Sequence, residues 1–283
     1  MLKQRVITAL VLLAILLPAV FYPTPHPFIA VALVLIAAGA WEWGKLNQCS
    51  QIGSLALGVV CAVFCLLTWY VGLLYQSLAI IWVIAGGAWV VLGSWLLHGG
   101  VKAWADVPQF LRLIGGVAAL WVAWVAVAQA RIQGINFLLS VLFLVWVADI
   151  SAYFVGRALG GRFFARKLAP TISPGKTWEG ACGGFSGGVI CAFVWLAVDS
   201  SGAMVAASIY TQLAGVHTAF MVLAVLFLAT MSVVGDLVES LFKRSAGVKD
   251  RSNVLPGHGG VLDRVDALLP ILPLAMMLAT LKI

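Results

Sequence analysis

Charge is scarce in this 283-residue chain: Asp, Glu, Lys and Arg make up 10% of it, while AVILMFWYC residues make up 63%. A soluble domain carries roughly 25% charged residues. With a mean hydropathy of +1.08, the chain cannot cover its own surface in water, which excludes a soluble globular protein. Long polar stretches are missing too, so no soluble appendage is expected. Cysteine is sparse, at positions 49, 61, 65, 182 and 191. Cys61 and Cys65 share a helix face, but no His or acid lies at metal spacing from them. That excludes a zinc cluster and a disulfide framework and leaves free, mostly buried thiols. A cleavage signature is absent as well. Lys3 and Arg5 precede an apolar run to Tyr22, but Pro18–Tyr22 offers no small-residue cleavage site. The run reads as a retained first helix.

What is present is a succession of apolar runs. They cover approximately 6–22, 28–44, 54–74, 78–97, 111–130, 136–156, 178–199, 215–238 and 266–281. Each is long enough, or nearly so, to cross a bilayer as a helix. The expected fold is an all-α polytopic membrane protein of about nine transmembrane helices. Basic residues test the topology. With the N-terminus in the cytoplasm and strict alternation, fifteen of the seventeen Lys and Arg fall on the cytoplasmic side, leaving only Arg131 and Lys282 opposite. The net charge of +7 is then a topology signal and a contact for anionic lipid. It is not a nucleic-acid footprint.

Acids divide the chain differently. Eight of the ten lie between Asp149 and Asp266. Residues 1–135 therefore read as transmembrane scaffold and 136–283 as the catalytic region of one membrane domain. Four polar constellations stand out. Asp149, in "VADISAYFVGR", sits inside an apolar run, where a carboxylate is costly unless paired or wet. Tyr153 at i+4 is placed to donate to it; the alternative is a structural acid bonded to a neighbouring helix. In "ISPGKTWEG", Ser173 and Pro174 read as the N-cap and first residue of a helix, with Lys176 and Glu179 in its first turn. Free N–H groups there suit phosphate. The "GKT" is not a phosphate-binding P-loop, because position 170, where that loop needs Gly, is Pro. Downstream, Gly180, Gly184 and Gly188, and again Gly183 and Gly187, recur every four residues, a pattern of close helix packing.

The third constellation is "GDLVESLFKR", with Asp236 and Glu239 on one helix face and Lys243 four residues beyond Glu239. An exposed ion-pair ladder is the plain alternative. The fourth is "SNVLPGHGGVLDRVD". Pro256 and three Gly make a bare turn, and Asp263 and Asp266 follow at i and i+3. Two acid pairs thus lie at one membrane face on consecutive helices. Crowded carboxylates repel unless a cation sits among them, and hard oxygen ligands suit Mg²⁺ bound with substrate phosphates. Lys176, Lys243, Arg244, Lys249, Arg251 and Arg264 supply positive charge beside them. This is the composition of metal-assisted phosphoryl or nucleotidyl transfer to a substrate at the membrane boundary.

The stretch "SLFKRSAGVKDRSNVLPGHGGVLDRVD", residues 240–266, resembles the signature of the phosphatidate cytidylyltransferases (CDP-diacylglycerol synthases). The matching positions are Ser240, Lys243, Arg244, Lys249, Asp250, Ser252, Leu255, Pro256, His258, Gly259, Gly260, Asp263, Arg264 and Asp266. "SPGKTWEG" and the Asp149–Tyr153 segment are similar to family segments too. The resemblance is sharp over about 149–266; the first half matches only as generic spans. It implies that CTP and phosphatidic acid react to give CDP-diacylglycerol and pyrophosphate, with Mg²⁺, in a bacterial cytoplasmic membrane. A second, monovalent cation and a homodimer stay open.

On that footing Asp236 and Asp263 are the expected metal holders, with Asp266 and Glu239 as further ligands or beside them. Ser173, Lys176, Lys243, Arg244, Lys249, Arg251, Arg264 and the Gly259–Gly260 backbone would meet phosphates. Asp250 would orient those cations, and Asp149 would support the cation site from further out. His258 is either a phosphate contact or a proton donor. The Gly-repeat helix and the last spans would form a groove for acyl chains. Other classes fit less well. A transporter would carry its charges near the midplane and show internal repeats. A CDP-alcohol phosphotransferase would need Gly after its second Asp, where Ala267 follows Asp266. A purely structural scaffold leaves the acids and bases unexplained.

Overall fold

The computed structural model describes residues 2–202, 206–247 and 259–281. Its regular elements are helical: α1 (Leu2–Phe21), α2 (His26–Leu46), α3 (Gln51–Tyr70), α4 (Ala79–Ala105), α5 (Gln109–Gln133), α6 (Ile135–Leu159), α7 (Trp178–Ser200), α8 (Ile209–Val216), α9 (Thr218–Ser245), α10 (Leu262–Val265) and α11 (Leu268–Thr280). A 3-10 turn at Leu73–Tyr75 separates α3 from α4. No strand occurs among the described residues; Ala169 and Ser173 form an isolated bridge.

The predicted apolar runs fall on helices, except that 54–74 extends past α3 into the 3-10 turn and 215–238 is divided between two helices. Seven, α2 to α7 and α9, are long and apolar enough to cross a membrane, and the chain is a multi-pass membrane protein. In α1 the apolar stretch is shorter, Val6–Phe21. α11 has 13 residues and carries Pro273 inside it. The central element is α9, the most enclosed of the seven, packed by α4, α7, α8 and α11. Around it Trp82, Trp124, Phe137 and Tyr210 are fully buried.

The helix ends sort onto two opposite faces. At one, the ends of α2, α4 and α9 meet through Trp43, Trp104 and Phe242, whose ring centroids lie 5.9, 5.2 and 4.2 Å apart. There Trp43 Nε1 donates to the Arg112 carbonyl at the start of α5 (3.0 Å), and Gln109 Nε2 to the Asn47 carbonyl (2.7 Å). At the other face Arg131, at the end of α5, donates to the Val20 and Tyr22 carbonyls at the end of α1. Asn136, at the start of α6, donates to Asp199 near the end of α7. Consecutive helices therefore alternate in direction, as the distribution of basic residues demands. Lys45, Lys102, Arg112 and Lys243 belong to the first face and Arg131 to the second.

Three local expectations are corrected. The cap of α7 is Thr177, whose side chain accepts from Gly180 N–H, not Ser173. Ser173 instead returns its own N–H to the Ala169 carbonyl at 2.8 Å, closing a turn that keeps Ser173 and Pro174 outside the helix. Glu179 is in the first turn as expected; Lys176 lies before it. The run 215–238 is split. Residues up to Val216 belong to α8, capped by Ser208, and α9 starts at Thr218. α9 also continues to Ser245, so Asp236 and Glu239 lie within the helix. The Gly repeat serves helix packing, as read. A Cβ on Gly180 or Gly184 would lie 3.0 Å from the Ala152 or Ala148 carbonyl oxygen of α6. The five cysteines are free, with Cys61 and Cys65 buried.

Candidate active site at one face of the bundle

The two predicted acid pairs meet at the face that holds Trp43, Trp104 and Phe242. Lys243 joins them. Its Nζ lies 2.7 Å from Glu239 Oε2 and 3.2 Å from Asp263 Oδ1. The first contact is the i,i+4 geometry of a helix; the second spans from α9 to α10. Glu239 is only 5% exposed, so this is no surface ladder. Gly235 makes the approach of the two segments possible, because a Cβ there would stand 2.7 Å from the Asp266 carbonyl oxygen.

Asp263 is held at both oxygens. Oδ1 receives Lys243, and Oδ2 accepts the Gly260 N–H at 2.9 Å. Burial alone would raise its pKa. The interaction with Glu239, the Gly260 N–H bond and the Lys243 charge together outweigh burial and bring it down to about 2. Asp266 lies in the break between α10 and α11, where Oδ1 accepts the Ala267 N–H at 2.7 Å. Helix α11 thus begins after Asp266, with Asp263 on a separate four-residue helix.

A loop before α7 covers one side of the acids. From it Lys176 Nζ reaches Asp236 Oδ2 at 2.5 Å. Arg244 Nε donates to the Ile172 carbonyl (3.4 Å), and Lys167 Nζ to the Pro174 carbonyl (2.6 Å). The end of α6 and the loop after it are fixed by Glu179. One carboxylate oxygen accepts the N–H groups of Gly161, Phe163 and Phe164, each at 3.0 Å. Asp149 lies within electrostatic range of Asp236 and Lys176, so the structure brings it to the cluster. The expected Tyr153–Asp149 hydrogen bond is not formed; the Tyr153 hydroxyl accepts from Arg157 at 3.1 Å. One turn separates the two side chains, and the phenol extends along the exposed face beside Arg157.

Arg264 is exposed on α10, close to the acids in sequence. Gly259 has φ +84°, a left-handed conformation that favours glycine. Lys249, Asp250, Arg251 and His258 lie outside the described residues. No group of three or more His, Cys, Asp or Glu among the described residues is arranged to hold a metal ion. The lysines stand between the carboxylates instead. The donor set is still all hard oxygen, of the kind that suits Mg²⁺ when phosphates complete the shell.

Next to the acids opens an apolar cleft of about 700 Å³ between α4, α5, α9 and the α10–α11 junction. Ile84, Trp89, Leu92 and Ala119 line its length, and Glu239 and Asp266 stand on its wall. A smaller hollow of about 470 Å³ lies on the α6–α7 surface, lined by Ser151, Phe163, Gly183 and Gly187. The larger, acid-lined cleft does not involve the Gly-repeat helix.

One residue of the first half also reaches the site. Glu42 of α2 is fully buried and accepts the N–H groups of Val261 and Leu262 at 3.0 and 2.9 Å. Sequence reasoning passed over it, although the signal was there. It is one of only two acids before Asp149 and stands inside the apolar run "GAWEWGKL".

The family model described as "Cytidylyltransferase family" matches residues 3–281. The chain belongs to that family. It is 36% identical to a phosphatidate cytidylyltransferase of Haemophilus influenzae, with 96% of each chain covered. It is 36% identical to one of Pseudomonas aeruginosa, covering 96% of this chain and 95% of the relative. The value is 31% against one of Staphylococcus haemolyticus, with 98% of each covered. The family likeness therefore spans the first half as well as the acid cluster.

Proposed function

We infer that this chain is a phosphatidate cytidylyltransferase: it transfers the cytidylyl group of CTP to phosphatidate, giving CDP-diacylglycerol and pyrophosphate. The carrying observation is the near full-length similarity to relatives of that name. An acid–lysine cluster beside a lipid-sized apolar cleft fits both substrates.

A phosphatidate phosphate oxygen attacks the α-phosphorus of CTP. One P–O bond forms, the bond to the bridging α–β oxygen breaks, and its electron pair leaves with pyrophosphate. The attacking phosphate is already mostly dianionic near neutral pH, so no protein base is required. Lys176, Lys243, Arg244 and Arg264 bind phosphates and balance the charge that grows on the departing group. Acyl chains lie in the 700 Å³ cleft, which brings the head group to the acids. Asp236 and Asp263 are the residues that would hold Mg²⁺, with Glu239 and Asp266 beside them. The ion would supply charge neutralisation on the phosphates.

The same reading sets the chain in the bacterial cytoplasmic membrane with nine crossings, α1 and α11 added to the seven. The N-terminus and the acid cluster face the cytoplasm, where CTP is. The excess of basic residues on that side supports this orientation. So do the bacterial relatives.

The test is product formation by purified protein from labelled CTP and phosphatidate, with and without Mg²⁺. Wild type should form CDP-diacylglycerol only with the metal. Asp263→Asn should lose at least 100-fold in turnover while remaining folded in detergent. Near wild-type turnover in that variant would remove Asp263 from the machinery. No product from wild type would refute the reaction itself.

A further inference from the structure

We propose that Glu42 is a positioning residue of the transfer site, acting through the backbone of residues 260–262 to hold Asp263 in place. The kinetic part rests on the cytidylyl-transfer reading; the structural part does not.

Glu42 stands about one turn before the end of α2 and is 0% exposed. A buried carboxylate is costly unless its oxygens are matched by donors. Here Oε1 takes the Val261 N–H and Oε2 the Leu262 N–H, from residues 219 and 220 positions away in the chain. The preceding amide, Gly260 N–H, goes to Asp263 Oδ2. Three successive backbone donors are therefore divided between two carboxylates, one from α2 and one from the site itself.

Two glycines make this fit. Gly259, at φ +84°, turns the chain. At Gly260 a Cβ would stand 2.7 Å from Glu42 Oε2, so any other residue would force the carboxylate away. The consequence runs in one direction. Glu42 fixes the amides of 261 and 262, that fixes the turn, and the turn sets which way Asp263 points toward Lys243. A purely fold-holding role would tie α2 to any nearby donor. The observed contact instead joins it to the two residues immediately before Asp263. Gln is a poor substitute, because its amide NH₂ would face one of the two N–H groups. Asp keeps both acceptor oxygens but is one methylene short.

The experiment uses full-length Glu42→Gln and Glu42→Asp in detergent beside wild type. Amide exchange of the 259–266 segment is followed without nucleotide or metal, and kcat and KM are measured for CTP and phosphatidate. Expected are exchange at Val261 and Leu262 at least tenfold faster, with α6, α7 and α9 protected as in wild type. In Glu42→Gln, kcat should fall at least tenfold with both KM values within threefold, and Glu42→Asp should recover part of both losses. Wild-type exchange and wild-type kcat in Glu42→Gln would overturn the proposal. So would loss of protection throughout the bundle in both variants, which would make Glu42 a residue of the fold alone. If wild type forms no CDP-diacylglycerol, the reaction reading fails and the exchange result alone decides the positioning role.

Discussion

Lys243 connects the two acid pairs, and its removal should be felt more than that of Lys176. Lys243 touches both Glu239, which is 5% exposed, and Asp263. Taking one partner from a buried ion pair leaves an uncompensated charge and costs about 3–5 kcal/mol. Lys176 pairs with an Asp236 whose side chain is 37% exposed, and such pairs contribute only about 0–1 kcal/mol. Lys243→Met should therefore lower the unfolding midpoint in detergent markedly. Lys176→Met should leave it nearly unchanged while still reducing turnover. Equal shifts for the two would argue that Glu239 is not enclosed as described. Asp263 adds a pH signature. Its folded-state pKa, about 2, lies below the ordinary carboxylate value. The stabilisation is thus fully present above the ordinary value and is lost as pH falls through about 2. Its size is on the order of 2 kcal/mol. The stability gap between wild type and Asp263→Asn should be flat from about pH 8 to 5 and close below about pH 4. A gap that changed between pH 8 and 5 would mean that another group controls it.

Among the helices, α6 and α7 make the most extensive contact, and glycines of α7 lie against the α6 backbone. Gly184 lies where a Cβ would come 3.0 Å from the Ala148 carbonyl oxygen, whereas Gly87 on α4 has nothing within 4 Å. Gly184→Leu must push α7 away, at the roughly 1–3 kcal/mol typical of overpacking. It should also shift Asp149 and the Glu179-held loop, lowering both stability and turnover. Gly87→Ala should change stability by no more than about 1 kcal/mol. Unfolding midpoints of the two variants check this, and a neutral Gly184→Leu would contradict the packing. At this scale the sequence was legible wherever an element's cause is local. Apolar runs located the membrane helices, and the four-residue Gly spacing announced a close helix contact along α7, though not its partner. It was not legible where two local signals compete. Ser173–Pro174 and Thr177 both resemble caps. The choice fell to Thr177 because Ser173 is used in a turn with Ala169. The division of 215–238 into α8 and α9 was hidden because both pieces are apolar and join at His217 with only one residue between them.

Over the whole molecule, the candidate site depends on contacts between residues far apart in the chain. The i,i+3 spacing showed that Asp236 and Glu239 share a face, as do Asp263 and Asp266. It could not show that Lys243 would stand between the pairs, nor that Glu42 would reach residue 261. The cleft was equally invisible, since its walls come from α4, α5, α9 and the α10–α11 junction. Its position gives a test that separates the two substrates. Ala119 on α5 lines the cleft among apolar side chains, while the lysines assigned to phosphate lie outside its lining. Filling the cleft with Ala119→Phe should obstruct acyl chains and leave the nucleotide untouched. KM for long-chain phosphatidate should rise at least fivefold, KM for CTP should stay within twofold, and a short-chain phosphatidate should be affected least. A change in both constants would place CTP in the cleft as well. No change in either would take the acyl chains out of it and point to the α6–α7 surface, where the smaller hollow lies.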